Sequence, residues 1–253
     1  MRLENKVIIV TGGGHGIGRA YCRGLAREGA KVVVTDIDLA AAEETKNLLE
    51  QAGGQGMALH VDVANEQSTL AMAEAAVKSY VKIDVLINNA AVFATIPISR
   101  TSFDKIPVEE WDRVMSVNLK GMWLCCRAVV PTMKKQGSGK IINISSGAPF
   151  SGRGMRIHYV TSKAGVLGFT RTLARELGEF GITVNTLAPG STLSEGQGDA
   201  KAVSHREQAT ATRCLKRIQT PEDLVGTMVY LCSSDSDFMT GETMVVDGGN
   251  VMV

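Results

Sequence analysis

Apolar positions along the chain gather in short β-branched runs at residues 7–10, 32–35, 58–61, 85–87, 141–144, 183–187 and 244–246. Within each run nearly every position is apolar. A strand wetted on one face would alternate, so these runs predict strands covered on both faces. Between them, apolar residues return at helical spacing and predict helices over 18–28, 38–52, 66–81, 108–134, 158–180 and 221–231. Their ends carry the expected punctuation: Asp38 can accept the first free N–H groups of its helix and the Gly53-Gly54 pair stops that same helix, Gly29 ends the one before it, and Thr220 precedes Pro221 as N-cap and first helical residue. Strand–helix alternation from end to end predicts an α/β fold, a doubly wound parallel sheet of about seven strands with helices on both faces. No break in composition interrupts it, so residues 1–253 read as a single domain. The one stretch of mixed signals, 191–216, is rich in Ser, Gly, Thr and charge and reads as a lid over a substrate.

Composition narrows the function classes. The 27 basic and 26 acidic side chains nearly cancel, for a formal charge of +1, which argues against nucleic acid held by bulk charge. No apolar run reaches the roughly 18 residues of a membrane span, and the opening residues lack a signal-peptide pattern. The expectation is therefore a cytoplasmic protein with neither a membrane nor a nucleic-acid partner. Cys22, Cys125, Cys126, Cys214 and Cys232 form no C-x-x-C pair, and His15, His60, His158 and His205 show no metal spacing, so no metal site is expected. Glycine is in excess, 27 of 253, and concentrates at the ends of apolar runs, where a chain must turn tightly or approach a ligand closely.

The first run ends in Thr11-Gly12-Gly13-Gly14-His15-Gly16-Ile17-Gly18 and a helix begins at once. A strand, a glycine-rich turn and a helix N-terminus bring free N–H groups and the positive end of a helix dipole to one point, which suits a pyrophosphate. The absence of Cβ atoms at Gly12, Gly16 and Gly18 would let the backbone reach such a ligand and the helix pack on its strand. An ordinary glycine turn is the competing reading, since the spacing is G-x-x-x-G-x-G rather than G-x-G-x-x-G. Asp36, at the end of the second run, tips the balance: a dinucleotide site places an acid there to accept from the adenosine ribose hydroxyls. Its charge would repel a 2′-phosphate, and Ile37 beside it offers no compensating cation, so NAD is expected over NADP. A partly cationic His15 would soften that preference. Asp62 and Val63 follow the third run at the ligand-binding edge of such a sheet, although a plain turn explains that pair equally well.

Tyr159-Val160-Thr161-Ser162-Lys163 opens a helical pattern, so the phenol and the ammonium lie on one face. A free tyrosine titrates near pH 10, and a close cation would favour its phenolate. Together with Asn88-Asn89-Ala90, Asn118, Ser146, Pro189-Gly190 and Asp247-Gly248-Gly249, these motifs occur in an order and at spacings that resemble the NAD(P)-dependent short-chain dehydrogenase/reductase family over essentially 6–250.

The resemblance implies a Rossmann-type fold, a homotetramer, and interconversion of a secondary alcohol and a ketone. It makes Tyr159 the general acid/base, gives Lys163 the tasks of lowering the tyrosine pKa and holding the nicotinamide ribose, and has Ser146, rather than Ser145, orient the substrate oxygen. Asn118 would hold a proton-relaying water, unless it is only a satisfied residue at a helix kink. Cofactor contacts would come from Gly12, His15, Gly16, Ile17, Gly18, Asp36, Asp62, Val63, Asn89, Ala90, Tyr159, Lys163, Pro189, Gly190 and Thr192. Two departures stand out: Ala91 replaces a usual glycine, and Ser194 replaces a usual threonine. Phe93, Ile96, Phe150 and Met155 suggest an apolar substrate pocket, with His158, Arg153 or Arg156 as polar contacts, the arginines reading more readily as solvated loop residues. The alternatives are a ketoreductase or a dihydrodiol dehydrogenase of the same family, or a dinucleotide-sensing protein without catalysis, against which the Ser146, Tyr159 and Lys163 trio argues.

Overall fold

The computed structural model describes residues 1–93, 95–152, 154–193 and 210–252. Seven strands form one parallel sheet: β1 (Val7–Thr11), β2 (Lys31–Asp36), β3 (Gln55–His60), β4 (Val85–Asn88), β5 (Gly139–Ile144), β6 (Ile182–Pro189) and β7 (Thr243–Val246), in the order β3-β2-β1-β4-β5-β6-β7. Every pairing is parallel, Ile9 lying between Val33 and Leu86 in register. The order reverses between β1 and β4. In open sheets of this kind, a crevice for ligands forms at that reversal, beyond the carboxyl ends of the strands.

The unbroken apolar runs are explained by two cores. Ile8 and Val10 face one, with Tyr21 and Leu25 of α1 (Gly16–Arg27), Ala42 and Leu49 of α2 (Leu39–Gln51), and Leu224 and Met228 of a late helix, Glu222–Cys232. Val7 and Ile9 face the other, with Met72 of α3 (Glu66–Tyr80), Cys125 and Val129 of α5 (Met122–Gln136), and Ala174 and Leu177 of α7 (Ile157–Leu177). The late helix is α8. Asp38 caps α2 as expected, its carboxylate accepting from Ala41 N at 3.2 Å. Among the described residues, no helix is long and apolar enough to cross a membrane.

The expected single helix over 108–134 is instead three pieces: α4 (Val108–Met115), a π-helical turn Ser116–Gly121, and α5. A π turn inserts one extra residue per turn and is usually retained for function. Here it brings Asn118 inward, and it seats Gly121 so close to Val63 that an added Cβ would approach Val63 Cγ2 to 2.8 Å. A short helix, α6 (Ala148–Ser151), follows β5. Most of the expected lid, 194–209, lies outside the described residues, as does Arg153.

Candidate active site

Beyond the carboxyl ends of the strands, a cleft of about 640 Å³ runs from Asp36 to Asn250. The residues expected at a cofactor all line it: Gly12, His15, Gly16, Ile17, Gly18, Asp36, Asp62, Val63, Asn89, Ala90, Tyr159, Lys163, Pro189, Gly190 and Thr192. Ser146 lines it too. Asn118 does not; it borders a separate void of about 10 Å³ behind the wall, together with Asn88 and Lys163.

The glycine-rich turn is built to leave room. Gly12 and Gly16 take left-handed backbone, φ 64° and 50°. A Cβ on Gly12 would meet Ala90 Cα at 2.9 Å, and one on Gly18 would collide with the Gly12 carbonyl. The turn is then tied down from below. Asn89 Nδ2 donates to the carbonyls of Thr11 and Gly12, at 3.0 and 2.9 Å, while Thr11 Oγ1 accepts from Asn89 N and Ala90 N. From the other side, the buried Arg19 donates Nε to Gly14 O at 2.9 Å and its terminal nitrogen to Glu44 at 2.7 Å. Sequence reasoning placed Thr11 in the motif without a role and overlooked Arg19, for which an arginine inside the buried stripe of α1 was the available signal. At the rim, Asp36 accepts from Gly14 N at 2.9 Å and Asp38 N at 3.1 Å, and His15 lies 3.6 Å from Asp38. The first turn of α1 carries no acid and no side-chain cap, and Gly16, Ile17 and Gly18 line the cleft, so the positive end of the helix dipole lies at it.

At the other end, the two serines after β5 separate. Ser145 Oγ donates to the Lys163 carbonyl at 2.7 Å and fixes α7, whereas Ser146 Oγ accepts from Ala148 N at 3.2 Å and lines the cleft with Tyr159. Tyr159 is buried and stacks on Phe93 with ring centroids 4.4 Å apart. Its proton affinity departs from expectation. Burial holds the phenol above its ordinary range, and the opposing pull of Ser146 and of the Arg156 charge does not reverse this. Lys163 Nζ donates to the Ile144 carbonyl at 2.8 Å and lies 6.0 Å from the tyrosine ring centre. Burial pushes the ammonium itself down to about 8.

Asn118 is held by its side chain, Oδ1 accepting from Val92 N at 2.7 Å and Nδ2 donating to Ser162 Oγ at 3.1 Å. It thereby fastens the connection after β4 to α7. His158 is not a substrate contact. Fully buried, it pairs through Nε2 with Glu110 at 2.8 Å, and Glu110 also accepts from the backbone and hydroxyl of Ser99. Phe150 and Met155 stay off the cleft wall, while Phe93 and Ile96 are on it. Arg156, expected in solvent, is 8% exposed and lines the cleft. Arg213 also lines it, unforeseen, donating to the carbonyls of Ser191 and Arg217.

A family model described as Enoyl-(Acyl carrier protein) reductase matches residues 12–250. The chain is 35% identical to an uncharacterized oxidoreductase of Thermotoga maritima and 35% identical to the 3-oxoacyl-[acyl-carrier-protein] reductase FabG of Vibrio cholerae, each alignment covering all of both chains. Among solved structures it resembles a 3-ketoacyl-(acyl-carrier-protein) reductase from Brucella melitensis complexed with NADH, with a TM-score of 0.88, 30% identity, and coverage of 99% of this chain and 100% of that one.

Proposed function

Because the chain belongs to the short-chain dehydrogenase/reductase family, a family of oxidoreductases, we propose that it interconverts a secondary alcohol and a ketone with NAD. The observation that carries this is that Ser146, Tyr159 and Lys163 line one cleft, whose far end is the glycine-rich turn of Gly12, Gly16 and Gly18. A nicotinamide, when bound, supplies or accepts the hydride. The chain's own residues manage the proton and the geometry.

Gly12, Gly16, Ile17 and Gly18 bring the backbone against the pyrophosphate, Asp36 accepts from the adenosine ribose, and Asp62 and Val63 border the adenine. Asn89 and Ala90 hold the turn; Pro189, Gly190 and Thr192 face the nicotinamide end, where a side chain on Gly190 would strike Asp247 Cβ at 2.6 Å. Ser146 orients the substrate oxygen beside Tyr159. In reduction, the Tyr159 hydroxyl gives its proton to that oxygen; in oxidation it takes one. Lys163 holds the nicotinamide ribose, and Asn118 steadies the void behind it, where a water can relay protons. Asp36 supports NAD over NADP through repulsion of a 2′-phosphate. The same reading includes a cytoplasmic homotetramer, which light scattering would test. The primary test is a panel of ketones and secondary alcohols followed by NADH absorbance. Turnover abolished in Tyr159→Phe, with NADH binding kept, is the expected result; full turnover in that variant would end the assignment.

A further inference from the structure

The connection from β4 to α4 is fastened at Val92, Ser99 and Thr101, and each fastening leads back to a residue within four positions of Tyr159. Val92 N donates to Asn118, whose amide holds Ser162, and Thr101 N donates to the Met155 carbonyl at 3.1 Å. Ser99 is gripped more firmly. Its N and Oγ donate to the Glu110 carboxylate at 2.7 and 2.8 Å, and Glu110 Oε1 also lies 2.8 Å from His158 Nε2. Between Val92 and Ser99 the connection supplies Phe93, Thr95 and Ile96 to the cleft wall, and Phe93 stacks on Tyr159.

Stability accounts for parts of this arrangement. An acid in the first turn of α4 is favoured by the helix dipole, and a buried imidazole needs a partner. Neither need explains why both groups converge on Ser99. Glu110 could serve the dipole from solvent, and an apolar side chain in the place of His158 would avoid burying Nδ1, which has no hydrogen-bond partner. Burial opposes the charge of Glu110, yet the bonds from Ser99 and His158 hold its carboxyl below the ordinary range. An ionised carboxylate only accepts, so Nε2 carries the imidazole proton and the tautomer is set. The result is a strut from the residue next to the reacting phenol, through imidazole and carboxylate, to the far end of the wall that faces the phenol. A ketone with its oxygen at Tyr159 must turn one of its two substituents towards that wall. A fixed wall therefore fixes the face presented, and errors of about 1 Å in such placements cost roughly 10²-fold in rate.

We propose that His158, acting through Glu110, is a positioning residue that holds the wall of Phe93, Thr95 and Ile96 against Tyr159, and that this wall selects which face of an unsymmetrical ketone receives the hydride. The inference rests on the oxidoreductase reading of the site. His158 itself touches neither substrate nor cofactor and moves no proton.

The test is reduction of acetophenone, 2-octanone and ethyl acetoacetate with NADH, read as the enantiomer ratio of the alcohol by chiral chromatography, with kcat, KM and the Kd of NADH. Wild type should form unequal enantiomers from at least one of these ketones. His158→Leu and Glu110→Ala should each lower that ratio about tenfold and raise KM more than they lower kcat, with NADH affinity kept within about twofold. Both variants break one strut, so the double variant should be no worse than either. His158→Gln, whose amide can donate to Glu110 from nearly the place of Nε2, should restore most of the ratio. Thermal melting checks folding; should His158→Leu fail to fold, Glu110→Ala decides alone, since that side chain is partly exposed at the start of α4. A ratio unchanged in folded Glu110→Ala, additive losses in the double variant, or equal enantiomers from wild type with every ketone overturns the proposal, and the reduction observed would then leave the oxidoreductase reading intact. Failure of wild type to reduce any of the ketones would overturn both.

Discussion

The two ends of the cleft bury polar groups on opposite terms. At the glycine-rich end the buried polar side chains serve the backbone: Asn89 holds two carbonyls, Thr11 receives two N–H groups, and Arg19 braces Gly14. Fold and site there make the same demands, because hydrogen bonds that fix the turn also stabilise the protein. At the tyrosine end they diverge. Lys163 has one carbonyl for its ammonium and loses proton affinity to burial, Tyr159 gains proton affinity for the same reason, and Arg156 stands at the wrong end of a helix. A strong backbone scaffold at one end allows costly groups to be held in place at the other.

The sharpest way to expose this contrast is to remove the costly groups. Tyr159→Phe should lower kcat by about 10²–10⁴-fold, the range for losing a general acid, while the melting temperature does not fall. Lys163→Met should likewise impair turnover, and it should stabilise the fold at neutral pH. The sign follows from linkage. The ammonium has a lowered affinity in the folded protein, about 8 against 10.5. Its burial therefore penalises folding fully below pH 8, and the penalty fades as pH rises towards 10.5, where the unfolded chain also loses the proton. The advantage of the methionine variant over wild type should thus be largest below pH 8, up to about 3 kcal/mol at roughly 1.4 kcal/mol per unit, and should shrink at higher pH. Denaturant titrations at neutral and alkaline pH measure it. A variant destabilised at pH 7 would show that Lys163 serves the fold rather than burdening it.

At the other end the same kind of change should have the opposite sign. Gly18→Ala places a Cβ against the Gly12 carbonyl and 2.7 Å from Asn89 Nδ2, and a backbone carbonyl cannot swing aside as a side chain can. Overpacking of this kind costs about 1–3 kcal/mol. Because the displaced carbonyl belongs to the turn itself, NADH affinity should fall at least tenfold along with stability. A variant that lost affinity without losing stability would separate the two demands that this end is held to join.

The sequence made legible whatever depends on periodicity and short-range spacing. The inner strands, buried on both faces, announced themselves as unbroken apolar runs, whereas the edge strands β3 and β7 carry similar runs but are only partly buried; the glycine turn, Asp36 and the Tyr159–Lys163 pair were readable because each is local. What depends on three-dimensional placement was not. Nothing in the spacing of 108–134 marks a π turn, because one extra residue per turn barely alters an apolar stripe, and Asn118 became intelligible only through Val92 and Ser162. His158, next to Tyr159 in sequence, points away from the cleft to Glu110, as neighbouring residues on a helix do. Arg156 read as a solvated loop residue since no local pattern reports its burial in the cleft wall. Spacing along a helix also does not report burial, which raises Tyr159, lowers Lys163 and belongs to the whole fold.

Asp36 provides the smallest test, because it is the one residue at the glycine-rich end whose charge, and not only its hydrogen bonds, is asked to act. Asp36→Asn separates the two. The amide keeps an acceptor for Gly14 N, so the turn should hold, with a stability loss no greater than about 0.5–1.5 kcal/mol for the bond lost at Asp38. The charge is gone, and with it the repulsion of a 2′-phosphate. The carboxylate lies at the rim, where solvent screens it, so the effect should be modest: about tenfold in the ratio of kcat/KM for NADH over NADPH, or about 1.4 kcal/mol. A ratio that moves by less than twofold would mean that Asp36 is one more backbone support, and that the glycine-rich end selects its ligand by shape alone.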